Sequence, residues 1–166
     1  MSWLDTQGGP FVVVPASRAA SWGGLRGSPS DEDSDFDRAC DVDDYIGIVR
    51  FDGGDALVLG DDPFPTAFLK APSFGGGYLI RMLWGDSEEE ALAAVHDVGA
   101  SEWTAEGVVF DAEDGVCTMF DAVYAGDAVP TQSRFRLPPG RYAVETADVQ
   151  PDESMCLLVH RLVPIS

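Results

Sequence analysis

Short apolar runs separated by glycine, proline and acidic turns dominate this chain, and only one stretch repeats its apolar positions at helical spacing. Phe11-Val12-Val13-Val14, set between Gly8-Gly9-Pro10 and Pro15, reads as a buried strand. Pro15 to Ser21 suits a short helix with proline in its first turn. Ser21 to Asp35 is rich in Gly, Ser and acid, has no apolar period, and is expected to form a mobile loop. Phe36 to Tyr45 suits a helical turn with Phe36, Cys40 and Tyr45 facing inward. Tyr45 to Phe51 and Ala56 to Leu59 read as a hairpin around Asp52-Gly53-Gly54-Asp55, whose adjacent glycines accept positive φ. Asp61-Asp62-Pro63 breaks the sheet. Thr66 to Lys70 and Tyr78 to Trp84 follow as strands.

The helical stretch begins at Ser87-Glu88-Glu89-Glu90, the pattern of a capping box. Ala91, Leu92, Val95 and Val98 then share one face, and Gly99 is expected to close the helix. Gly107 to Phe110, Val116 to Phe120, Arg141 to Ala147 and Met155 to Val163 complete the strands. No fixed repeat and no linker divide the sequence. The expected fold class is α+β: one domain over residues 1–166, mostly antiparallel sheet, with one principal helix, short helical turns and a mobile acidic loop near 21–35. Nine Phe, four Trp and four Tyr in a chain that is 45% hydrophobic supply the core.

Charge changes this picture most. Ten basic residues face 29 acidic ones, for a formal charge of -19. A small domain needs a charge of only about 2–8 to stay dispersed. Eight of the acids lie between Asp31 and Asp44 against one base, Arg38. Two readings stay open on charge alone: general acidity, for solubility or a salty cytoplasm, or a surface that attracts a strongly basic protein. Such acidity argues against nucleic acid and anionic membranes as partners. The first residues lack a basic and an apolar signal region, and no apolar run is long enough to span a bilayer. Cys40, Cys117 and Cys156 are widely spaced and odd in number, which reads as reduced thiols and a cytoplasmic location.

Candidate chemistry is sparse. His96 and His160 have no ligand-like neighbours, and no Cys-x-x-Cys pair suggests zinc. The alternating acids from Asp31 to Asp37 fail as a calcium loop. Counted from Asp31, position six is Phe36 rather than Gly and position twelve is Val42 rather than Glu; counted from Asp33, they are Arg38 and Asp44. Gly75-Gly76-Gly77 opens a strand and lacks the Lys-Ser or Lys-Thr of a phosphate loop. No serine occupies a nucleophile elbow. The sequence therefore predicts no catalytic residue, metal site or cofactor. Trp22, Trp84 and Trp103 fall near element ends or loops, where tryptophan serves either core packing or a binding surface.

Trp3-Leu4-Asp5-Thr6-Gln7-Gly8-Gly9-Pro10 with Pro15, Asp35 through Gly47, and Ala56 through Pro63 form a pattern that resembles the immunity protein 21 family of bacterial polymorphic toxin systems. Pro139-Gly140-Arg141-Tyr142 and Leu158 through Leu162 fit less specifically. The resemblance implies a cytoplasmic antitoxin that binds a cognate toxin and supplies no catalytic residues. The acidity adds a preference for a basic toxin, a nuclease among the candidates, blocked sterically and electrostatically. The expected toxin-binding residues are Asp31, Glu32, Asp33, Asp35, Asp37, Asp43, Asp44, Asp61 and Asp62, with Trp22, Trp84 and Trp103. A small acidic enzyme and a housekeeping domain of unknown substrate remain the alternatives, and the oligomeric state is not legible.

Overall fold

The computed structural model describes residues 1–26, 33–52, 54–60 and 63–166. Eleven strands and two α-helices follow in the order β1 (Trp3–Leu4), β2 (Phe11–Pro15), α1 (Asp35–Cys40), β3 (Ile46–Phe51), β4 (Gly54–Leu59), β5 (Thr66–Ala71), β6 (Gly76–Trp84), α2 (Glu88–His96), β7 (Thr104–Asp111), β8 (Val116–Asp121), β9 (Ser133–Arg136), β10 (Arg141–Asp152) and β11 (Met155–Ile165). Short 3-10 turns occupy Ala16–Ser21 and Ala100–Glu102. Strand accounts for 48% of the chain and helix for 15%, so the expected α+β class holds only coarsely: the helices are covers on sheets.

Two antiparallel sheets form the body. One has the order β1-β5-β6-β11-β10-β7 and the other β3-β4-β2-β8-β9. Their facing sides enclose the main core, which includes Phe11, Val13, Leu57, Leu79, Phe110, Met119 and Leu162. Each sheet also has a covered outer side. Val12, Val14, Val58 and Phe120 on the five-stranded sheet pack under Ala39 of α1 and under Trp22. Ile80, Ala147, Val149 and Leu157 on the six-stranded sheet pack under Ala91, Ala94 and Val95 of α2. The order is thus helix, sheet, sheet, helix, which places α1 and α2 on opposite faces. Strand β2 explains why Phe11 to Val14 is uninterruptedly apolar. It is central, paired with β4 and β8, and both its faces are buried.

Several expectations are corrected. Strands β1 and β9 were not legible, because two and four residues give too short an alternation. Gly54 belongs to β4, and the positive φ in the hairpin falls on Asp52 (27°); Gly53 lies outside the described residues. Ser87 caps α2 by accepting from the Glu90 amide, whereas no reciprocal bond from Glu90 is formed. The helix stops at His96, and Gly99, with φ of -72°, instead precedes the 3-10 turn whose Glu102 accepts its amide. The capping box occurs at the other helix: Ser34 accepts from the Asp37 amide while Asp37 accepts from the Ser34 amide and hydroxyl. Of the expected mobile loop, residues 27–32 lie outside the described residues, and its flanks are tied to the body. Trp22 is fully buried, and the Gly23 amide donates to Asp35 at 2.8 Å.

Candidate functional site

The acidic segment divides according to what each carboxylate touches. Asp35 accepts from Gly23 and pairs with Arg38, and Asp37 closes the capping box. Arg38 also donates to the Asp33 carbonyl at 2.9 Å. Asp44 accepts the Tyr45 amide at 2.7 Å, while Asp33, Asp41, Asp43 and Asp44 are all exposed. Asp31, Glu32, Asp61 and Asp62 lie outside the described residues.

The three tryptophans separate. Trp22 is a core residue, contrary to expectation. Its ring meets Phe51 edge-on at 5.3 Å, and its indole N–H donates to the Ala122 carbonyl at 3.0 Å. No partner can reach it without opening the fold. Trp84 is 48% exposed, with its indole N–H on the Glu153 carbonyl at 3.2 Å. Trp103 is half-buried, stacked on Tyr78 at 6.0 Å, with the Arg161 guanidinium 4.5 Å from its ring centre. Arg161 in turn pairs with Glu145. Trp84 and Trp103 belong to the α2 side of the six-stranded sheet, and Asp35 to Asp44 to the α1 side of the other. The expected residues therefore do not form one patch.

Two buried ionisable clusters went unseen in the sequence. Asp121, at the end of β8, is 3% exposed and accepts from the amides of Gln7, Gly9 and Val123 at 3.0, 3.2 and 3.0 Å. A side chain at Gly9 would meet its carboxylate at 2.5 Å, which explains the glycine there. Arg81, 1% exposed on β6, donates to the Gly60 carbonyl at 2.6 Å and the Tyr45 carbonyl at 3.4 Å, tying one sheet to the other. Gly60 is equally constrained, since a Cβ would lie 2.1 Å from the Asp44 carbonyl oxygen. His160 lies beside Arg81 with Nδ1 2.8 Å from Thr146 Oγ1. Burial, reinforced by the Arg81 charge, holds this imidazole well below its usual range, so it stays neutral. These groups serve the fold. The only available hint was the Gly8-Gly9-Pro10 turn, because the partners are far apart in sequence.

Neither cluster offers catalysis. Burial, then Asp114, pushes the Cys117 thiol up to about 12. Burial followed by neighbouring acids also raises Cys40 and Cys156, so no cysteine is an activated thiolate. Among the described residues, no group of three His, Cys, Asp or Glu could hold a metal ion, and no helix is long and apolar enough to cross a membrane.

A concavity lies elsewhere. A groove of about 380 Å³ runs between the C-terminal end of α2 and the second half of β10. Ala94, Val98, Val149 and Pro151 give it an apolar floor, and Asp97, Glu102 and Asp148 give it an acidic rim. Its origin lies in strand length: β10 pairs with β7 only as far as Thr146, then runs on to Asp152.

No curated protein and no solved structure matches the chain. The family described as immunity protein 21 matches residues 2–155, a span that takes in every strand before β11, both helices, the Asp121 clamp and the groove. The chain belongs to the immunity protein 21 family.

Proposed function

We propose that the protein neutralises a cognate toxin by binding it, not by catalysis, and that its acidic surface covers a basic face of that toxin. The family match over residues 2–155 carries this reading, because an immunity protein implies a toxin partner. The charge of -19 supports the basic character of the partner, since complementary fields raise association rates by about 10- to 1000-fold. A nuclease fits well: its cleft must attract phosphates, and carboxylates can occupy their place. Asp33, Asp43 and Asp44 are the exposed described members of the α1 set, and Asp31, Glu32, Asp61 and Asp62 join them on charge alone. Trp22 is left out.

Co-expression with the cognate toxin domain, sought first in the neighbouring gene, tests the reading. The expected outcome is rescued growth and a co-purified complex whose association rate falls as salt rises. Growth arrest that persists with both proteins present, or no complex at low salt, overturns it.

A further inference from the structure

We infer that the groove between α2 and the end of β10 docks a Lys- or Arg-bearing segment of the toxin, an assignment that rests on the proposed toxin-binding function. The floor and rim together specify the occupant. Long cationic side chains lay an apolar stem along apolar surface and keep the charged head at its edge. Ala94, Val98, Val149 and Pro151 offer the stem a surface, while Asp97, Glu102 and Asp148 stand at the edge for the heads.

Three further observations favour a cationic segment over an ion or a neutral ligand. The rim acids come from three different elements and do not converge as a metal-holding group. Among the described residues none of the three forms a salt bridge, in contrast to Asp35, Asp55, Asp127 and Glu145. Finally, α2 ends at the groove, with Asp97 as its C-cap, so the negative end of its dipole adds to the same field. The volume, about 380 Å³, also lies within the range of roughly 300–1,000 Å³ typical of ligand clefts. Such a site discriminates against anionic partners by repulsion as well as selecting cationic ones.

The test uses the full chain and its cognate toxin domain. Asp97→Asn/Glu102→Gln/Asp148→Asn removes the rim charge, and Asp148→Arg reverses part of it. Asp5→Asn/Asp41→Asn/Asp52→Asn removes equal charge at exposed positions outside the proposed binding residues and should weaken binding less; an equal loss refutes the groove. The groove triple variant should weaken binding by about tenfold or more at low salt, with a smaller loss at high salt; Asp148→Arg, which shifts the groove charge by two units against three, should weaken it by a smaller factor. Affinity within about twofold of the wild type for both groove variants, while the wild type binds, overturns the groove and leaves the toxin-binding function standing.

A second arm does not depend on the toxin. Isotope-labelled protein is titrated with a hexa-arginine peptide and followed by amide chemical shifts. Shifts concentrated at Ala94, Asp97, Val98 and Asp148 to Gln150 support the groove. Shifts that avoid these residues, or that spread evenly over all exposed acids, refute it. Absence of toxin binding by the wild type would instead strike the proposed function, and the peptide arm would still decide the groove.

Discussion

Two acidic regions cover opposite faces of this molecule, and they differ in what their carboxylates are already doing. Around α1, density in sequence is high, but Asp35 and Asp37 are consumed by a capping box, a loop amide and an arginine. Around α2 and β10 the acids are spread over three elements, and although Glu102 accepts the Gly99 amide, those of the groove rim have no cationic partner among the described residues. Local charge density therefore overstates the field offered by the first region and understates that of the second. A partner responds to charge left unspent after folding.

The largest expected effect comes from a carboxylate fully committed to the fold. Asp121→Ala should cost about 2–4 kcal/mol, because buried amides of Gln7, Gly9 and Val123 lose their acceptor. Urea unfolding measures it, and a loss below about 1 kcal/mol would show that the clamp matters little. Next comes the anchor beneath the α1 region, where His160 is kept neutral beside Arg81. The unfolded chain takes up a proton at this histidine near pH 6.5 and the folded chain does not. This contribution to stability is therefore complete above about pH 6.5 and is lost below it, by up to about 1.4 kcal/mol per pH unit. Unfolding free energies of the wild type and His160→Gln, compared between about pH 7 and pH 5, should diverge in that direction. A constant difference would mean that His160 charges in the fold.

The caps sharpen the contrast at a smaller scale. Ser34→Ala, which dismantles a reciprocal box, should cost about 1 kcal/mol, and Ser87→Ala, which removes a single bond, should cost less. Thermal melts of the two variants would contradict this order if Ser87 proved the more costly. Last, the groove triple variant should change folding stability by no more than about 0.5 kcal/mol, since its acids are exposed and outside salt bridges, and Glu102→Gln keeps an oxygen for the Gly99 amide. A large loss would place those acids in the structural class with Asp121.

Much of the sheet was legible because its strands carry apolar runs of four or more residues between Gly, Pro or Asp turns. The helix beginning after Ser87 was legible from its cap and its apolar face. What escaped reading was placed by distant contacts. Trp22 lies in a glycine-rich stretch that reads as loop, and it is buried by Phe51 and by the carbonyl of Ala122, 100 positions away. Asp121 looks like any other acid until Gln7 and Gly9 fold back onto it. The candidate site suffered in the same way. Counting acids found the α1 segment, whereas the groove needed the length difference between β7 and β10, which no local pattern encodes. The residues grouped by sequence as one surface were divided between two faces by the sandwich itself.

The central position of β2 has a consequence for how the chain is made. Its partners are β4 and β8, and the second of these ends at Asp121, so the first long apolar strand leaves the ribosome about 100 residues before its sheet can close. Non-local pairing of this kind folds slowly, in roughly milliseconds to seconds. Throughout synthesis, Phe11 to Val14 is an adhesive segment, guarded at its ends by Pro10 and Pro15, which cannot donate to a foreign ladder. The same negative charge on which the proposed function rests keeps unfinished copies apart during that interval. Acidity thus protects the nascent protein before it can protect anything else.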